Sequence, residues 1–179
     1  ISDNANIDIK ISNSSGILMS KTVKVYAGSS TPEVLIFREE FGTPTKTYGA
    51  KGDSWPYVDQ YDGWVRSGEG IANVSYEGTA ASIRNASPTS DYSGASGTGK
   101  LFFANNASFI IKNIVLGEGQ TNLKLTFGGA YFEYSSQDKT FNADLLHFYL
   151  SADGMSWSDA VAYTTTSVSD SWVMAAANF

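Results

Sequence analysis

The sequence predicts an all-β chain, a two-sheet antiparallel sandwich of jelly-roll type, and three observations carry that reading. Leu123, Leu125 and Phe127 alternate with Asn122, Lys124 and Thr126, the period-two pattern of a half-buried strand. In a second run Leu146, Phe148 and Leu150 take one parity while Leu145, His147 and Tyr149 take the other, which predicts a central strand covered on both sides. No stretch shows a helical period of comparable length, and about eight short strands follow residue 33.

Length and composition agree with one substantial core. A domain near this chain's 179 residues buries roughly two thirds of its unfolded surface, so neither metal nor disulfide is needed to hold it. Cysteine is absent, which excludes a disulfide-stapled scaffold. Twelve basic against 18 acidic residues give a net charge of −6, and without a Lys/Arg run nucleic acid is a poor partner. Aromatics at 13% with sparse charge argue against disorder. No apolar stretch approaches the roughly 18 residues of a membrane span, so none is predicted. The chain opens on polar residues without an initiator Met, as a processed or excised piece would.

In chain order, residues 1–28 read as one hairpin. Ile7, Ile9 and Ile11 alternate with Asp8 and Lys10, Asn13-Ser14-Ser15-Gly16 turns, and Val23 and Val25 alternate with Lys24 and Tyr26. An isolated hairpin is marginal in water. The linker-like composition of residues 29–33 therefore favours a remnant of a preceding β module, with the main domain at 34–179. Val34-Leu35-Ile36-Phe37 opens that domain as a short apolar strand. Residues 42–63, rich in Gly, Pro and aromatics, form a loop far longer than the usual ~4–6 residues, and such loops tend to be functional.

Residues 71–76 and 80–84 are the next strands, and residues 85–99 form a polar loop. In residues 100–116, Phe109 and Ile111 share one parity and Ile114 and Leu116 the other, which places a bulge or two-sided burial near Lys112-Asn113. Gly117 to Asn122 connects that run to residues 123–127, and residues 128–139 are irregular. Asp153-Gly154 supplies a turn after the 143–150 strand, with Trp157 folding back over the sandwich edge. Residues 161–163 and 172–179 are the last strands.

A family likeness runs through the same residues. Phe37-Arg38-Glu39-Glu40-Phe41, Ala81-Ser82-Ile83-Arg84, Ala107-Ser108-Phe109 with Ile114-Val115-Leu116, the run 123–127, the run 149–157 and the run 172–179 occur in that order. Together residues 34–179 resemble the jelly-roll, galactose-binding-like domains of the choice-of-anchor type that end exported Bacteroidetes lipoproteins. Residues 17–28 are similar to the final strand of the small Ig-like modules that precede such domains. The resemblance implies an extracellular, outer-membrane-surface or periplasmic location, an upstream lipid anchor, and a structural calcium near the first strand. Such domains usually continue past the position of Phe179, which implies an open edge here and weak self-association through it.

Catalytic constellations are thin. The single histidine, His147, has no nucleophile-elbow sequence near it and reads first as a structural residue. One histidine without cysteine is also too few ligands for zinc. The carboxylate pairs Glu39/Glu40, Asp53/Asp59 and Asp153/Asp159 could serve a glycoside hydrolase only if held ~5–9.5 Å apart across a cleft. Glu40 and Asp53, with Asp59 and backbone carbonyls, offer hard oxygen ligands for calcium; the alternative is that they are solvated loop acids.

The densest feature is Trp55, Tyr57, Tyr61 and Trp64 interleaved with Asp59, Gln60 and Asp62. Flat rings stack on apolar sugar faces while Asp accepts from hydroxyls, so these six aromatic and acidic residues form a candidate glycan site, joined by Tyr92 or Tyr131. The competing reading makes the rings plugs at the end of the sandwich. Three functions follow: a noncatalytic carbohydrate-binding or surface-adhesion module, a structural accessory domain packed against a neighbour, or a glycoside hydrolase. The first has most residues behind it.

Overall fold

The computed structural model describes residues 5–16, 18–28, 33–49, 52–86, 88, 90–131 and 140–179. Its organising element is one long strand, β8 (Lys100–Leu116). The first strand, β1 (Ala5–Asn13), runs antiparallel along the later half of β8, with Ile7 opposite Ile114 and Asn13 opposite Ala107. The chain then steps sideways and continues in the same direction as β2 (Leu18–Ala27), with Leu18 opposite Phe103. Residues 13–16 are thus a step in one path, not a hairpin turn. Asn13 bridges the step, its amide nitrogen donating to the carbonyls of Gly16 at 3.0 Å and Ala104 at 2.9 Å.

This corrects the separation expected at the start of the chain. β1 lies between β8 and β10 (Leu146–Ser151). β2 starts between β8 and β9 (Leu123–Tyr131) and ends between β9 and β3 (Val34–Glu39). Ile9, Ile11, Val23 and Val25 are fully buried in the same cluster as Phe109, Leu125, Phe127 and Phe148. β1 and β2 are therefore part of the core sheet and not a remnant beside it. Of the expected linker 29–33, residues 29–32 lie outside the described residues. The misreading has a physical source: an alternating pattern shows that a segment is a strand, not which strand it pairs with.

The remaining strands complete one curled antiparallel sheet. β7 (Ser75–Arg84) flanks β8 on its other side, and β12 (Val173–Asn178) flanks β9. β11 (Thr164–Ser167) covers β12, β6 (Arg66–Ser67) covers β3, and β4 (Thr47–Gly49) with β5 (Gly52–Ser54) forms a separate ribbon. Only two short 3-10 turns, Val58–Gln60 and Ala143–Leu145, interrupt the strands among the described residues. The final strand, expected to present an open edge, is paired on both sides, by β9 and β11. The strand expected at 161–163 is a single bridge, Val161 to Phe148, with the strand itself at Thr164–Ser167.

Bulges make the curl. Ile7 pairs with Ile114 and Ile9 with Ile111, so β8 has an extra residue at Lys112-Asn113, where the parity switch in the sequence places it. Asn113 takes φ 60, and its backbone N–H donates to Asp8 Oδ1 at 2.7 Å, which pins the bulge. A second irregularity lies at Thr22, φ 52, where β2 passes from one set of partners to the other. The convex face of that corner carries its own small core of Met19, Phe102, Ala130, Tyr92 and Trp172. Tyr92 comes from the polar 85–99 loop, and its phenol donates to the Lys21 carbonyl at 3.0 Å. Only glycine fits opposite it, since a Cβ on Gly128 would sit 2.4 Å from the Tyr92 ring. Beneath this loop Lys21 is fully buried and ion-paired with Asp91, and burial together with the Lys21 charge holds the nearby Lys100 ammonium below its usual pKa.

Candidate functional site

The aromatic loop divides into a packed part and an exposed part. Residues 56–60 run beside β7 as an edge cover: Ile83 N–H donates to the Pro56 carbonyl at 2.9 Å, and Tyr57 bridges Ser82. Val58 is buried against Gly78, where a Cβ would meet Val58 Cγ2 at 2.7 Å. That packing turns Tyr57 outward, 52% exposed, with Asp59 and Asp62 also in solvent. Trp55 is half-buried with the Lys46 ammonium 5.7 Å from its ring centre.

Tyr61 and Trp64 face the other way. Trp64 stacks on Tyr76 at 4.0 Å and on Phe109 at 6.0 Å between ring centres, and meets Tyr61 edge-on at 5.0 Å. Tyr61 donates to the Phe41 carbonyl at 2.7 Å, and burial pushes its phenol up to about 12. These two rings close the end of the core. Tyr92 is buried at the convex corner and presents no ring face, whereas Tyr131 packs half-buried against the main core. The depression beside this loop, lined by Thr43, Thr45, Pro56, Gln60, Tyr61 and Asp62, holds only about 140 Å³. Small-ligand pockets begin near ~300 Å³.

The paired glutamates have separate tasks. Glu39 is fully buried and its Oε1 accepts from the backbone N–H of Phe41 at 2.7 Å and of Val65 at 3.0 Å, while Oε2 accepts from the Tyr76 hydroxyl. One carboxylate thus ties the start and the end of the long loop to β7. Burial raises its pKa above the ordinary value, against the opposing pull of those three donors and of Arg66. Glu40, on the opposite side, ion-pairs with Arg38 at 2.7 Å. A calcium ion there would have to displace a guanidinium, and the Asp53 side chain lies outside the described residues. No group of three or more His, Asp or Glu gathers among the described residues.

The raised carboxyl of Glu39 has a pH signature. A group that binds its proton more tightly when folded adds stability that is complete below the unfolded pKa and is lost as pH rises through the folded value. We expect the melting temperature of Glu39→Gln to gain on the wild type as pH rises above about 4.5, because the amide keeps one acceptor oxygen without the charge. Calorimetry of both proteins across that range checks this. Parallel curves would assign the burial penalty elsewhere.

A second locus was not visible before the strands were paired. On the outer face of β10, β1 and β8, Tyr149 lies opposite Lys10 and Lys10 opposite Ile110. The next row is His147, Ser12 and Ser108. Leu146 and Phe148 point into the core, so His147 and Tyr149 face outward, half-buried, and the two-sided cover expected for this strand is partial on that side. The Lys10 ammonium lies 4.6 Å from the Tyr149 ring centre and 4.9 Å from that of Trp157. The rows bound an open depression of about 350 Å³ that Asn13, Ser14, Asn106 and Ala107 also line.

Comparison with known proteins adds no template for either locus: no family model matches the chain, and neither a curated protein nor a solved structure matches it.

Proposed function

We propose that the chain is a noncatalytic, extracellular carbohydrate-binding or surface-adhesion module of galactose-binding-like, jelly-roll type, and that its ligand face is the outer surface of β10, β1 and β8. The observation behind this reading is the row Tyr149–Lys10 beside the row His147–Ser12–Ser108. A ring and hydroxyl-bonding groups share a rigid sheet there, around a depression of small-ligand size. Sites on strands hold their geometry better than sites on loops. The exposed Tyr57 with Trp55, Asp59 and Asp62 is a second surface of the same chemistry without a comparable depression. The alternative of a structural accessory domain draws on Tyr61 and Trp64, which serve packing.

A glycan array read with the intact chain, followed by titration of the best hit on tryptophan fluorescence, tests the reading. Tyr149→Ala should weaken binding at least about tenfold, or ~1.4 kcal/mol, at an unchanged melting temperature, while Tyr57→Ala leaves it intact. Loss in Tyr57→Ala alone would move the site to residues 53–64. No retained glycan at all would favour the accessory domain.

A further inference from the structure

We propose that the depression on β10, β1 and β8 takes an acidic sugar, a uronate or other carboxylate-bearing residue of a glycan, with Lys10 receiving the carboxylate. This rests on the carbohydrate-binding reading and adds the charge of the ligand. The chain carries six more acidic than basic residues, yet this depression is lined by Lys10 and the only histidine and by no carboxylate. The nearest acids in register are already engaged: Glu77, across β8 in the Lys10 row, holds Lys112 at 2.9 Å, and Asp8, one row along β1, accepts from Asn113.

Lys21, Arg38, Lys112 and Lys124 each ion-pair with an acid among the described residues; Lys10 forms no such pair there and lies against the rings of Tyr149 and Trp157. Ring faces attract an ammonium without neutralising it, and its N–H donors directed away from them stay available. A charge held against ring faces gains more from an oxyanion than one in open water. A neutral sugar in the same place would offer that charge hydroxyl oxygens as acceptors but no opposite charge.

The row at His147, Ser12 and Ser108 follows ~6.7 Å along the strands and supplies donors and acceptors for hydroxyls.

Calorimetric titration of the intact chain with oligogalacturonate, hyaluronan and alginate oligosaccharides, each beside its methyl-esterified form, separates charge from shape. At least one acid should bind about tenfold or more tightly than its ester. Lys10→Gln should remove that preference while the melting temperature stays within about two degrees. An ester that binds as well as its acid, or a neutral glycan bound through Tyr149 when no acid binds, would overturn the acidic-sugar assignment and leave the carbohydrate-binding function standing. Equal binding of a sulfated polymer would reduce the effect to general charge and also overturn it. Binding of no glycan of either kind would remove both.

Discussion

Deleting residues 1–28 should abolish cooperative folding. The deletion takes β1 and β2 from the sheet and removes Ile9, Ile11, Leu18, Met19, Val23 and Val25, each at most 1% exposed. A fully buried side chain of this kind contributes about 1.5–3 kcal/mol, so six contribute roughly 9–18 kcal/mol, against a total stability of about 5–15 kcal/mol for a domain. The loss extends beyond side chains. β8, β9, β10 and β3 would each lose a hydrogen-bonded neighbour and expose an edge that invites aggregation. The truncated chain should bind ANS and show no sigmoidal urea transition. A sharp transition at a similar midpoint would mean that the strands from residue 34 onwards hold themselves.

The second large effect separates rings that the sequence presents as equals. Trp64→Ala removes a stack on Tyr76 and edge contacts with Tyr61 and Phe41, and should cost about 3 kcal/mol even for a half-buried indole. For a chain of this length that is a fall of roughly 6–12 °C in melting temperature. Tyr57→Ala, on an exposed ring four residues before Tyr61, should stay within about 0.5 kcal/mol. Thermal melts of the two variants side by side decide the matter. Equal losses would mean that Tyr57 packs in solution, and equal indifference would mean that Trp64 does not.

The contrast shows where sequence reasoning stops. β9 and β10 are legible because one buried face imposes a period of two on Leu123, Leu125 and Phe127 and on Leu146 and Phe148. The bulge near Asn113 is legible because an inserted residue must switch parity. Trp64 is held in the core mainly by Tyr76, Phe109 and Phe41, partners 12 or more residues away that Tyr57 lacks, so no local pattern tells the two apart. The face bearing Lys10 and Tyr149 was hidden for the same reason. Each residue sits in a recognisable strand, but the register between β1 and β10 brings them together, and a composition shift at 29–33 argued that they belonged to different bodies.

That register also fixes an order of events during synthesis. Ile9 pairs with Leu150, about 140 residues later in the chain. At ~5–20 residues per second a ribosome needs roughly ten to thirty seconds to deliver that partner. Until then the outer edge of β1 stays unpaired, and the apolar row of Ile7, Ile9 and Ile11 is without the Phe148 side of its core. A nascent chain in this state exposes an unpaired edge and apolar surface, and slowed translation before residue 150 would lengthen that exposure. In the finished protein, the first of these twelve strands to be made is among the last to be locked in place.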